Sequence, residues 1–191
     1  MKVVKILGIA GSLRNGSFNK SILREALVLV PENVELEIFD IEGIPSFNQD
    51  IVNSPPERII DLKAKVRSAD AILFATPEYN FSVPGVLKNV IDWVSRANGE
   101  NAWQGKPVAI MSASTGLIGG ERAQLHLRQC FVYLDMRAVN RPEVIVTLAG
   151  QKIDQNGHLT DEHTREKIKE LLVALVELTK KFSAPSKSVN D

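Results

Sequence analysis

Disulfide chemistry is excluded first, because this chain of 191 residues has one cysteine, Cys130. A single thiol makes no intrachain disulfide and no thiolate zinc cluster. Histidine is nearly as scarce: His126, His158 and His163 are scattered and give no metal-ligand spacing. An excess of one charge is missing too. Lys plus Arg and Asp plus Glu both number 23, so no basic surplus advertises nucleic acid or an anionic membrane surface. No apolar run approaches the ~18 residues of a membrane span. Met1-Lys2-Val3-Val4 enters a strand-like segment directly, without the long apolar core and small-residue cleavage site of a signal peptide. The expectation is a cytoplasmic protein with no nucleic-acid or membrane partner. What is present is ordinary globular content, 44% apolar and 24% charged residues, which over this length can bury a core.

Strand and helix patterns alternate along residues 1–182, which read as one domain, with a flexible tail expected over 183–191. Val3 to Ile9 is a short β-branched run ending at Gly11-Ser12. Ile22, Leu23, Ala26, Leu27 and Val30 then repeat at helical spacing until Pro31. Val34, Leu36 and Ile38 alternate with Glu35 and Glu37, the pattern of a strand with one wet face. Ile59, Ile60, Lys63 and Val66 predict a helix after Pro55-Pro56, and Ala71 to Ala75 a fully apolar strand. Val86, Leu87, Val90, Ile91 and Val94 predict a third helix. Val108 to Met111 predicts the fourth strand, and Ala123, Leu127, Cys130, Phe131 and Leu134 the fourth helix. Val144 to Leu148 predicts a fifth strand, and Ile168, Leu171, Leu172, Leu175 and Phe182 the last helix. Asn156-Gly157, between Ile153 and Leu159, predicts a small hairpin. This alternation implies an α/β three-layer sandwich around a five-stranded parallel sheet. Order 2-1-3-4-5 puts the alternating second strand at an edge and the apolar strands inside.

Ligands of such sheets sit beyond the carboxyl ends of the strands. The loops there read Gly11-Ser-Leu-Arg-Asn-Gly-Ser-Phe-Asn19, Thr76-Pro-Glu-Tyr-Asn80 and Ser112-Ala-Ser-Thr-Gly116. The first opens a helix, whose free N–H groups favour an anion. Ser12, Ser17 and Asn19 add neutral donors, and Arg14 a charged fork. Gly11 and Gly16 have Walker spacing, but Ser17 stands where the lysine should be. Without that lysine a triphosphate fits poorly, and a monophosphate fits better. In the second loop Pro77 and Tyr79 can wall a planar ring whose edge meets backbone N–H groups near Tyr79 and Asn80. In the third, Ser114, Thr115 and Gly116 can meet another edge of it.

Taken together, Gly11 to Asn19 (Gly-Ser-Leu-Arg-x-x-Ser-x-Asn), Pro77-Glu-Tyr-Asn80 and Ser82-Val-Pro-Gly-x-Leu-Lys-Asn-x-Ile-Asp-Trp93 resemble the NAD(P)H-dependent FMN reductases of the flavodoxin-like fold. That family includes quinone, chromate and azo-compound reductases. The resemblance implies that Ser12, Arg14, Ser17 and Asn19, with the N–H of Phe18, hold the phosphate of bound FMN. It implies that Pro77, Glu78, Tyr79 and Asn80 line the isoalloxazine, and that Ser114, Thr115 and Gly116 lie at its pyrimidine side. It further implies hydride transfer from NADPH or NADH through FMN to a quinone, flavin, azo compound or metal oxyanion. A homodimer or homotetramer is implied as well, with the 43–50 loop near a partner's flavin. The flavin carries the chemistry, so no catalytic side chain and no metal ligand is expected. Consistently, the chain has no Gly-x-Ser-x-Gly elbow.

Rival functions are weaker on the same residues. A flavodoxin-type electron carrier is typically strongly acidic and lacks this arginine. A receiver domain needs an aspartate at the third strand's end, where Ala75-Thr76-Pro77 stands. Of the remaining polar residues, Glu78 is expected to be solvated or bonded to ribityl hydroxyls, and Arg122 and Arg128 to be solvated or ion-paired. Asp92 and Trp93 read as packing or a subunit contact, Cys130 as core, and His126 as a packed or surface residue. His158 and His163 read as local caps of the last helix.

Overall fold

The computed structural model describes residues 3–183. β1 (Val4–Ala10), β2 (Val34–Phe39), β3 (Ala71–Thr76) and β4 (Pro107–Ala113) are joined by α1 (Phe18–Leu29), α2 (Glu57–Ser68) and α3 (Gly85–Arg96). After α4 (Glu121–Tyr133) come β5 (Arg137–Ala138), β6 (Val144–Val146), α5 (Ala149–Lys152) and α6 (Glu162–Ser183). The sheet is parallel, in the order β2-β1-β3-β4, with β5 and β6 both pairing β4. The expected fifth strand is therefore built from two short pieces. It also ends at Val146 rather than Leu148, because Leu148 turns into the left-handed region at φ 50°. The flexible tail expected from 183 onward lies outside the described residues, except Ser183, which closes α6.

Strand residues alternate between two cores, which explains the unbroken apolar runs. Ile6, Leu73, Ala109 and Met111 face α1 and α6 with Ile22, Leu23, Ile168 and Leu172. Leu7, Ile9, Ile72 and Phe74 face the other layer with Val90, Trp103, Leu127 and Phe131. A strand covered on both faces has no polar position to spend, and every residue of β3 and β4 is buried. β2 has one neighbour, β1, and alternates in burial along Val34–Phe39. Arg165 ties α6 to α1 through Glu25 at 2.5 Å.

Some residues of the helical stripes leave them. Leu27 and Ile60 lie outside the core, and Phe182 is exposed with Arg137 over its ring. Lys63, in the apolar stripe of α2, is buried yet fully employed. Its ammonium donates to the carbonyl oxygens of Ala97 and Glu100, closing the carboxyl end of α3, where positive charge is favourable. Burial, and then Arg67, push its pKa below the ordinary lysine value. The 43–50 loop is pinned to α3: Trp93 Nε1 and Asn89 Nδ2 donate to the Pro45 carbonyl, and Phe47 packs edge-on to Trp93. Asp92 pairs with Lys88 and Arg96. The Asn156-Gly157 hairpin forms as Ile153 pairs with Leu159. Asp161 caps α6 through Thr164, in place of the expected histidines, while His158 bonds back to Asp154.

Candidate functional site

The carboxyl ends of β1, β3 and β4 meet in a cleft of about 200 Å³. Of the residues singled out in the sequence, Ser12, Arg14, Ser17, Phe18 and Asn19 line it from the first loop. Pro77, Glu78 and Tyr79 line it from the second, and Ser114 and Thr115 from the third. Asn80 and Gly116 sit outside that lining. Ala113 joins it, a residue that position at the end of β4 could have flagged.

The first loop is held by local bonds. Ser17 has extended backbone, and its hydroxyl caps α1 by accepting from the Lys20 N–H at 3.5 Å. The Ser17 N–H in turn donates to the Arg14 carbonyl, and Ser12 Oγ accepts from the Arg14 N–H. The N–H groups of Phe18 and Asn19 open the helix, where no earlier turn supplies acceptors. Ser12 and Ser17 are buried at 2% exposure and line the cleft. Arg14 is exposed, rests 5.2 Å from the Phe18 ring centroid and has no carboxylate partner among the described residues. The arrangement is a cradle for one anion, with a charged fork free to close on it.

Asn19 takes a different part from the one read in the sequence. Its Nδ2 donates to the Ala113 carbonyl at 2.9 Å and its Oδ1 accepts from the Ala113 N–H at 3.0 Å. The side chain thus clips the start of α1 to the end of β4 and fixes the distance between the first and third loops. The third loop is laced to the β6–α5 connection: the Ser114 N–H donates to Val146, and the Ala149 N–H to Ser114. Gly119 and Gly120 follow at φ +65° and +94°. A Cβ on Gly119 would sit 2.5 Å from Ile145 Cγ2, and one on Gly120 2.8 Å from Ser112 Cβ. Glycine is required there by conformation and by space.

The second loop is a two-residue hairpin. Tyr79 and Ser82 exchange both backbone hydrogen bonds, and Asn80 and Phe81 between them have φ 51° and 62°. Positive φ at both central residues marks a type I′ turn. Asparagine adopts it readily; an aromatic residue does so at a cost of roughly 1–2 kcal/mol. Glu78 lines the cleft and also serves α4. Its carboxylate accepts from the N–H of Arg122 at 3.0 Å and of Ala123 at 3.4 Å, capping α4 where Gly120 has no side chain to do so. The Arg122 guanidinium reaches Glu78 and lies 4.1 Å from the Phe81 ring centroid.

Other candidates have structural employment. Arg128 bonds Asn140 and the Val139 carbonyl. His126 is exposed and bonds Ser82 Oγ through Nδ1 at 2.9 Å. Cys130 is partly buried against the core, and burial raises its thiol pKa, which makes it a poor nucleophile. Among the described residues no three His, Cys, Asp or Glu side chains form a metal-holding group, and no helix is long and apolar enough to cross a membrane.

Comparison with known proteins places this architecture. Residues 4–151 match the NADPH-dependent FMN reductase family model. An NAD(P)H-dependent FMN reductase of Pseudomonas aeruginosa is 49% identical over 174 residues, 90% of this chain and 93% of the relative. An NAD(P)H:quinone oxidoreductase of Solanum tuberosum is 41% identical over 94% of this chain and 95% of its own. Among solved structures, the flavoenzyme NAD(P)H:(acceptor) oxidoreductase FerB of Paracoccus denitrificans superposes with a TM-score of 0.85. It is 32% identical, over 94% of this chain and 99% of that one. With its flavodoxin-like sheet and this likeness along nearly its whole length, the chain belongs to the NADPH-dependent FMN reductase family, oxidoreductases that carry electrons from NAD(P)H by way of FMN to small acceptors.

Proposed function

We propose that the Gly11–Asn19 cradle holds the FMN phosphate, that the second and third loops flank its ring, and that a quinone is the acceptor. The observation that carries this is the convergence of an anion cradle with two donor-rich loops in one cleft. The donor set fits the group: serine hydroxyls, helix-start N–H groups and one guanidinium without a carboxylate partner among the described residues suit a phosphate monoester. FMN, when bound, accepts a hydride and passes the electrons on. The residues themselves bind and orient. Ser12, Ser17 and Arg14 would hold the phosphate end, the Asn19 clip sets the spacing of the first and third loops, and the second and third loops would flank the ring. The overall balance is NAD(P)H, one proton and a quinone giving NAD(P)⁺ and a hydroquinone. The quinone reading is supported by the potato relative's activity and by the aromatic Tyr79 at the cleft.

Titration of the cofactor-free protein with FMN, followed by flavin fluorescence, tests the cradle. Anaerobic NADPH and then a panel of quinone, azo dye, free flavin and chromate tests the acceptor. Initial rates should give parallel double-reciprocal lines, as one site serves donor and acceptor in turn. A protein that does not take up FMN overturns the reading. We propose further that two copies associate through the face of α4 carrying exposed Leu125, Val132 and Tyr133, an apolar row of the kind that marks subunit contacts. A single-chain mass by sedimentation overturns that.

A further inference from the structure

Phe81 runs against expectation twice. Its φ of +62° is one that an aromatic residue rarely adopts, because Cβ crowds the carbonyl. The residue is 66% exposed, although burial would favour it. Asn-Gly is the ordinary pair for this turn, and glycine in place of Phe81 would close the same hairpin without strain. The ring is nevertheless held in place. Arg122 lies over it, and Glu78 holds Arg122 by both its backbone N–H and its guanidinium. Glu78 and Tyr79 line the cleft, and Phe81 belongs to the hairpin that Tyr79 opens. Strain kept where a relaxed alternative exists points to use.

The geometry points to Phe81 as the acceptor subsite, a specificity-determining residue against which a flat, electron-poor ring stacks as it enters the cleft. This rests on the FMN reading above. Offset stacking suits a quinone, and the Arg122 guanidinium beside the ring would favour the negative charge that quinone oxygens gain on reduction. Ferricyanide, which has no ring, gains nothing from Phe81. The subsite therefore separates aromatic acceptors from inorganic ones.

The experiment uses the FMN-loaded enzyme and the variants Phe81→Gly and Phe81→Tyr. Calorimetry with 1-naphthol, a flat ring that takes no electrons, should give binding at least tenfold weaker in F81G and within threefold of the original in F81Y. Reoxidation of the NADPH-reduced enzyme by 2-methyl-1,4-naphthoquinone should slow at least tenfold in F81G and recover in F81Y. The ferricyanide rate should shift less than twofold. The melting temperature of F81G should stay level or rise, since glycine relieves the turn. Equal naphthol binding and equal quinone rates in F81G overturn the subsite, as does equal slowing with ferricyanide. A change in sedimenting mass in F81G assigns the ring to a subunit contact and also overturns it. FMN affinity is measured on the same samples. Absent FMN binding in the unsubstituted protein refutes the cofactor reading, whereas retained binding with no Phe81 effect refutes the subsite alone.

Discussion

The first and second loops of the cleft solve the same task, presenting groups to a ligand, by opposite means. The first is relaxed. Ser17 caps the helix it begins, Arg14 is two to three residues from its bonding partners Ser12 and Ser17, and no residue from Gly11 to Asn19 has positive φ. The second is strained at Phe81 and held by α4, 44 positions along the chain from Glu78. A loop whose order is local can be read from its own residues. A loop whose order is borrowed cannot, and its stability depends on the partner that lends it.

That contrast can be broken most forcefully at Asn19, where the first loop does depend on a distant residue. Asn19→Ala leaves the buried N–H and carbonyl of Ala113 unpaired. It should cost about 2–4 kcal/mol of stability by urea denaturation, with FMN affinity falling alongside. A loss under 1 kcal/mol would mean the clip is dispensable. Arg14→Ala should do the reverse, weakening FMN binding on the order of 10–150-fold through one lost charged hydrogen bond worth roughly 1.5–3 kcal/mol. Stability should stay within about 0.5 kcal/mol, as for other surface changes. Full FMN affinity in R14A would remove Arg14 from the cradle.

Glu78→Ala tests the borrowed order. Loss of the α4 cap should lower stability by about 1 kcal/mol, and amide exchange should quicken at Tyr79 and Ser82 first. Unchanged exchange there would show that the hairpin stands alone. The smallest effect is expected far from the cleft, at Asp161. The Thr164 hydroxyl, and then its N–H, hold this carboxyl below its ordinary value of 3.8. A folded pKa below the unfolded one gives stability that is present above the unfolded value and lost as pH falls through the folded one. Asp161→Asn should therefore flatten the fall of the urea midpoint as pH drops below the ordinary carboxyl value. An unchanged slope would place the acid sensitivity elsewhere.

Much of the molecule was legible in advance. The order of elements, the edge position of β2 and the burial of β3 and β4 follow from residue spacing, and the three loops arrive together because parallel strands all end on one side. What was illegible has a common cause. Lys63 reads as a flaw in an apolar stripe until the carboxyl end of α3 is seen against it. Asn19 reads as a neutral donor of its own loop, and the second task of its amide, bridging both backbone groups of Ala113, does not show there. Glu78 lines the cleft, as its loop position implies, but its bond to the start of α4, where Gly120 offers no cap, is not written in that loop. In each case the polar side chain answers a backbone group more than 30 residues away, and no local pattern marks such a debt.

Hydrophobic period, turn chemistry and helix starts are properties of short segments, so the amino-acid order alone determined the parallel α/β sandwich and the place of its cleft. The division of the last strand into β5 and β6, the employment of Asn19 and Glu78, and the display of Phe81 under Arg122 were settled by folding. Each depends on which backbone donors and acceptors remain unsatisfied once distant elements pack, and those groups are defined by proximity in space rather than by sequence.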